Sequence, residues 1–117
     1  MSESVLRDKS KAFAKRIIFL CRDMKQRKVE TALINQIMRS GTSIGANIHE
    51  AQYAQGNKNF ISKLEIALKE CNETDYWIEV LFDTGCVSSA VFSEIKDQIV
   101  ELRRMLVSSV RTMKEKK

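Results

Sequence analysis

The side chains best suited to chemistry form a polar ladder, whose members recur three or four residues apart: Gln36, Arg39, Ser43, Asn47 and Glu50. At the helical repeat this spacing places them on an arc of about 80° beside an apolar stripe. Short Ser and Asn side chains suit a plain solvated helix face poorly, so we predict an ordered network between helices or subunits, with a solvated flank as the alternative. The expected partners on a later helix are Lys63, Glu70 and Glu73, with either glutamate pairing with Arg39.

His49 is the single histidine, and it limits the enzyme classes that the chain can support. A carboxylate-bridged di-iron bundle needs a Glu three residues before a His on each of two helices, whereas Ala46 holds that position here. A helical ribonuclease would place an Arg and a His on one helix face, but Arg39 precedes His49 by ten residues and lies on another face. We therefore predict no catalytic residue, no metal site and no cofactor, with a cryptic ribonuclease as the weaker alternative.

Four amphipathic segments must position these side chains. Proline is absent and only four glycines occur, so helix breakers fall at few places. A change of apolar face marks a turn near residues 26–28, while Gly56 and Gly85 mark two others and Ser88 or Ser89 can cap the last helix. The predicted helices span about residues 5–26, 30–54, 58–84 and 89–114. Short loops make neighbouring helices antiparallel, so the prediction is an all-α, antiparallel up-down-up-down four-helix bundle in a single domain, residues 1–117.

Gly41 and Gly45 lie inside the second predicted helix, where two glycines cost about 2 kcal/mol relative to alanine. This cost predicts a compensating gain from the close approach of a neighbouring backbone.

Composition places the chain among soluble proteins without disulfides. No apolar run approaches the ~20 residues that would cross a bilayer, and the first residues lack the pattern of a secretion signal, so we expect a cytoplasmic protein without a membrane partner. The three cysteines, Cys21, Cys71 and Cys86, are far apart and odd in number. This pattern predicts buried or half-buried thiols rather than a disulfide framework or a metal site.

Charge is strongly segregated along the chain. Residues 1–28 carry nine basic and three acidic side chains, residues 103–117 carry six and one, and residues 29–102 carry five and eleven. The first and fourth helices are therefore basic. On the fourth helix five cations share one arc of about 100°: Lys96, Arg103, Arg104, Arg111 and Lys114. This basic stripe predicts contacts with the phosphates of RNA or DNA, and the scarcity of aromatic residues beside it predicts no base stacking. The alternative is an ordinary solvated face.

At the polar ladder the sequence resembles a known family, the proteins encoded by intervening sequences in bacterial 23S ribosomal RNA genes, also called S23-type proteins. The likeness covers nearly the whole chain and rests on these residues: Gln36, Arg39, Ser43, Ile44, Asn47, Ile48, Glu50, Phe60, Ala67, Glu70, Glu73, Thr74, Glu101, Leu102, Met105 and Leu106. The resemblance implies a four-helix bundle, a homopentameric ring and no established enzymatic activity. The chain is also similar to the accessory proteins of diversity-generating retroelements, which share the bundle and ring and bind nucleic acid and a reverse transcriptase.

These observations predict a non-enzymatic homo-oligomer, a pentamer by the resemblance, that binds nucleic acid, RNA in the first place, through phosphate contacts. The alternative is a protein-interaction scaffold whose acidic helices recruit a basic partner and whose basic helices only keep it in solution.

Overall fold

The computed structural model describes residues 3–116 and shows an all-α bundle of four helices, with no strand in that range. The helices are α1 (Glu3–Gln26), α2 (Thr31–Ala51), α3 (Gly56–Asp83) and α4 (Ser89–Glu115). Each helix packs on its neighbours in chain order, and α1 contacts α4 over the smallest surface. The sequence therefore predicted the fold class correctly.

Two of the helix ends share one capping motif. The amide of Val29 donates to the carbonyl of Met24, and the amide of Lys28 donates to the carbonyl of Lys25. Lys28 adopts the left-handed conformation, with φ 65°. The end of α3 repeats this pattern with Gly85 at φ 78° in the position that Lys28 takes in α1. Lysine thus ends α1 where glycine would be the usual residue, which explains why no clear signal marked the first turn.

The second loop differs from its predicted position. The amides of Tyr53 and Ala54 donate to the carbonyls of Glu50 and Ala51, each at 3.0 Å, and these short-range bonds close α2 three residues before the predicted end. Because Gly56 adopts φ 81°, the chain reverses at once and α3 begins two residues early. At the third loop Ser88 caps α4 by accepting a hydrogen bond from the amide of Val91, as predicted.

α1 and α2 approach each other closely at the two helical glycines, as their cost in helix propensity predicted. A Cβ at Gly41 would lie 2.9 Å from a side-chain carbon of Ile17, and one at Gly45 would lie 3.1 Å from the carbonyl oxygen of Ser10. Any larger residue at Gly45 would press on backbone, which cannot turn away as a flexible side chain can.

The core is a continuous set of aliphatic side chains from all four helices, and the thiols belong to it. Cys21 and Cys71 are buried and Cys86 is half-buried, as predicted. Burial raises the pKa of the Cys21 and Cys71 thiols to about 11 in each case, so both stay protonated near neutral pH.

Candidate nucleic-acid interface

Three of the five cations of the predicted α4 stripe are held by side chains of α3. The Lys96 ammonium donates to Asp75 and, at 2.7 Å, to Glu79. Arg103 donates to the second oxygen of Asp75 at 3.0 Å, and the Lys114 ammonium lies 3.1 Å from Glu65. These cations face carboxylates across the α3–α4 seam, so their charge is largely neutralised within the molecule.

The pKa values follow from this pairing. Burial alone would raise the pKa of Asp75, but hydrogen bonds from Lys96 and Arg103, with their charges, outweigh burial and lower it. Hydrogen bonds to Asp75 and Glu79 raise the pKa of Lys96. Of the predicted stripe, only Arg104 and Arg111 are exposed without an ion pair to a described carboxylate.

Apart from Arg7, the cations of α1 fall into two groups. On the side toward α4, Lys9 pairs with Glu101 at 3.3 Å and Arg16 with Glu94 at 2.7 Å. The other group, which we call the basic face of α1, spans an arc of about 80° and consists of Lys11, Lys15, Arg22 and Lys25. All four are exposed, and none forms an ion pair with a carboxylate in residues 3–116. This face therefore keeps its full positive charge.

Beside the basic face, a shallow groove of about 430 Å³ runs between α1 and α2. Small residues form its floor, and polar side chains line one end: Ala14, Thr42, Gly45 and Ala46, then Arg7, Asp8, Lys11, His49 and Gln52. We call this the α1–α2 groove. The close contact of the helices at Gly45 keeps its floor smooth, because no large side chain rises from it.

A chain of hydrogen bonds orders the polar end of the groove. Arg7 donates to the amide oxygen of Gln52 at 2.8 Å, so the amide nitrogen of Gln52 faces Nδ1 of His49 at 3.2 Å. An amide nitrogen can only donate, so Nδ1 accepts and the proton of the neutral ring lies on Nε2. Arg7, Lys11 and the Nε2–H of His49 are then donors beside the carboxylate of Asp8, and these donors suit the oxygens of a phosphodiester.

The polar ladder lies on the opposite side of α2, against α3. Arg39 donates to Glu70 at 3.1 Å and to Glu73 at 2.5 Å, and Lys63 donates to Glu50 at 2.7 Å. Ser43 and Asn47 donate to carbonyl oxygens one turn earlier within α2, and the exposed Gln36 makes no side-chain hydrogen bond to a described residue. The ladder thus joins α2 to α3 through the ion pairs of Arg39 and Glu50, whereas Ser43 and Asn47 between them form hydrogen bonds within α2.

Comparison with known proteins identifies the family. The model described as 23S rRNA-intervening sequence protein matches residues 3–108, nearly the whole chain. The chain belongs to this family. A crystal structure of a protein with unknown function from the S23 ribosomal protein family of Bacteroides thetaiotaomicron is similar to it, with a TM-score of 0.92 and 43% identity over 95% of this chain and 99% of that one. No curated protein matches the chain.

In this member of the family, the described residues offer no group of three His, Cys, Asp or Glu side chains able to hold a metal ion. Within residues 3–116, no helix combines the length and apolar character needed to cross a membrane. The only histidine, His49, lies in the groove.

Sequence reasoning counted the cations of α1 in a net charge but did not assign them to a site. Part of the basic face could have been predicted from sequence, because Lys11, Lys15 and Arg22 recur on one arc of α1. The register of α3 against α4, which brings Asp75 between Lys96 and Arg103, could not be seen before the helices were packed. Nor could the pairing of Arg7 with Gln52 across 45 residues.

Proposed function

We propose that this family member is a non-enzymatic, self-assembling helical bundle that binds the sugar-phosphate backbone of nucleic acid, RNA in the first place. The observation that carries the proposal is the basic face of α1, whose four exposed cations have no carboxylate partner within residues 3–116 and adjoin the donors of the α1–α2 groove. Phosphate oxygens are the natural partners of such donors, and each contact releases counterions from the strand.

The proposal places the main contact on α1 and gives α4 a smaller share. Lys96, Arg103 and Lys114 already neutralise carboxylates of α3, so a phosphate would have to compete with an existing ion pair. Arg104 and Arg111 are exposed and extend the positive surface along α4. The predicted stripe thus contributes two free cations.

A matched pair of variants tests the proposal. Lys11→Gln/Lys15→Gln/Lys25→Gln removes three charges from the basic face, and Arg104→Gln/Arg111→Gln/Lys114→Gln removes three from α4, both with little change in helix propensity. Fluorescence anisotropy with a labelled RNA at about 50 mM salt should show a loss of roughly ten- to a hundredfold for the α1 variant and about threefold for the α4 variant. The wild-type affinity should fall steeply with salt, and the α1 variant should flatten that slope.

Two results would count against this function. If the wild type binds neither RNA nor DNA at low salt, the cations only solvate the bundle, and the protein-interaction scaffold becomes the better explanation. If the two triple variants lose affinity equally, binding follows net charge and the assignment to α1 is wrong.

The outward side of α3 supports the self-assembling part of the proposal. Ile66 is 40% exposed and Tyr76 is 59% exposed, with the half-buried Trp77 and Val80 beside them. Apolar side chains grouped on a face between α2 and α4 leave a surface that another copy of the chain would cover. The family resemblance makes a pentamer the expected size.

Sedimentation velocity at micromolar concentration should give a species several times heavier than the 13.4 kDa chain. Ile66→Lys/Tyr76→Lys should release the 13.4 kDa monomer, because two charges would be buried without partners in the interface. Val107→Lys, at an exposed apolar position on α4, is the control and should leave the assembly intact. A wild type that sediments as the monomer would refute assembly.

A further inference from the structure

Phe19 is an exposed aromatic side chain at the edge of the basic face, between Lys15 and Arg22 along the helix. It is 60% exposed, although its neighbours Ile17 and Leu20 lie in the core. Lys15 precedes it by one turn and Arg22 follows it by one turn. The guanidinium carbon of Arg22 lies 5.6 Å from the centre of the ring, within the range of a cation–π contact. A large apolar surface is thus held among cations.

The other exposed aromatic side chains of the described residues already have ring neighbours. Phe82 stacks on Phe92 with ring centres 4.5 Å apart, Tyr76 meets the edge of Trp77 at 4.9 Å, and Tyr53 lies 5.5 Å from the ring of His49. Phe19 has no ring partner among residues 3–116, and Arg22 is its one charged neighbour over the ring. The remaining surface of the ring is open to a flat ligand.

We propose that Phe19 is a stacking platform for an unpaired base, so that the basic face selects single-stranded over double-stranded nucleic acid. The inference rests on the proposed function, since Lys11, Lys15 and Lys25 would hold the strand while Phe19 reads whether a base is free. Phosphates are accessible in single strands and duplexes alike, but the faces of bases are accessible only where they are unpaired. Every base has such a face, so the platform adds no sequence preference.

The scarcity of aromatic residues on the basic arcs predicted no base stacking. A single exposed ring, Phe19, nevertheless lies beside the unpaired cations of α1. In the free protein Arg22 holds the ring of Phe19 in place. In the complex with nucleic acid it can contact a phosphate or stack on a bound base.

The test uses the full chain with an unstructured labelled RNA of about 12 nucleotides and a blunt RNA duplex of the same length, within the site sizes of single-strand binders. Phe19→Leu keeps an apolar side chain of good helix propensity but removes the aromatic face, and Phe19→Trp enlarges that face. Phe82→Leu is the control for losing an exposed aromatic ring elsewhere. The same titrations with single-stranded and double-stranded DNA of equal length show whether the platform is specific to RNA.

We expect the wild type to bind the single strand more tightly than the duplex. Phe19→Leu should lose about five- to tenfold in single-strand affinity, while its duplex affinity changes less than about twofold. Phe19→Trp should retain the preference for the single strand. An equal loss on both probes, or no loss on either, would overturn the platform. If the wild type binds neither probe, the proposed function fails instead. A change in the sedimentation of Phe19→Leu would assign the ring to a contact between subunits and would also overturn the proposal.

Discussion

On α4 the cations Lys96 and Arg103 share one carboxylate of α3, whereas on α1 Lys11 and Lys15 extend into solvent with no carboxylate partner within residues 3–116. Residues 1–28 and residues 103–117 carry a similar excess of positive charge at the two ends of the sequence. Packing distinguishes the cations of α1 from those of α4, because carboxylates of α3 pair with cations of α4 and of α2, and none of the described ion pairs joins α3 to α1. Positive charge on a helix therefore indicates a binding surface only after the charge of the neighbouring helix has been taken into account.

The largest effect on the difference between α1 and α4 should come from removing the carboxylate that pairs with the cations of α4. Asp75 is 18% exposed and joins both Lys96 and Arg103, so Asp75→Ala leaves two half-buried cations with weaker partners. The free energy of unfolding should fall by about 2 kcal/mol, between the values for surface and fully buried pairs. Urea unfolding measures this change.

The control for Asp75→Ala is Glu101→Ala, which breaks the exposed pair with Lys9 between α1 and α4. That variant should cost less than about 0.5 kcal/mol. If the two variants are equally stable, the ion pairs of the α3–α4 seam are no tighter than surface pairs, and the cations of α4 are as free to bind as those of α1.

The same carboxylate predicts a dependence of stability on pH. The pKa of Asp75 is lowered from its ordinary value of 3.8, so its contribution is complete above that value and is lost as the pH falls through the lower, native pKa. The difference in stability between wild type and Asp75→Ala should thus be constant near neutral pH and shrink below about pH 4. A difference that persists unchanged in acid would mean that the pair is not the source of the stability.

A smaller effect is expected from the exposed carboxylates of the seam. Glu65→Gln/Glu79→Gln frees Lys114 and loosens Lys96, so α4 should come to resemble α1 and RNA affinity should rise about threefold at low salt. Glu30→Gln/Asp83→Asn changes the net charge equally at exposed positions away from these cations. Equal gains in anisotropy titrations for the two pairs would show that pairing on α4 has no influence.

The sequence was sufficient for the fold, because a change of apolar face near residues 26–28 and two glycines at loops divide the apolar helical repeat into four helices. It placed the end of α2 three residues late, since nothing in residues 52–54 forbids helix and the turn is set by local hydrogen bonds. Lys28 in a left-handed conformation gave no signal either, because lysine is an ordinary helix residue.

The candidate site was less predictable for a physical reason. Net charge and arcs are properties of one helix, while ion pairs such as Asp75 with Arg103 depend on the register between two. The α1–α2 groove needs residues 7 and 52 to meet across the bundle, and its smooth floor depends on helix spacing rather than on any motif. Phe19 is similar, because a single Phe in a helix is usually part of the core until its exposure is known.

The contact at Gly45 has a consequence for the entropy of binding. Where flexible side chains keep the walls of a groove apart, those side chains lose conformational entropy when a ligand orders them. Here the distance between α1 and α2 is limited by the backbone of Ser10 instead. If the groove binds a strand as proposed, its walls need not move on binding, and the loss of conformational entropy falls on the long side chains at its rim. Gly45→Ala would force α1 outward and take away this pre-organisation without removing a single charge.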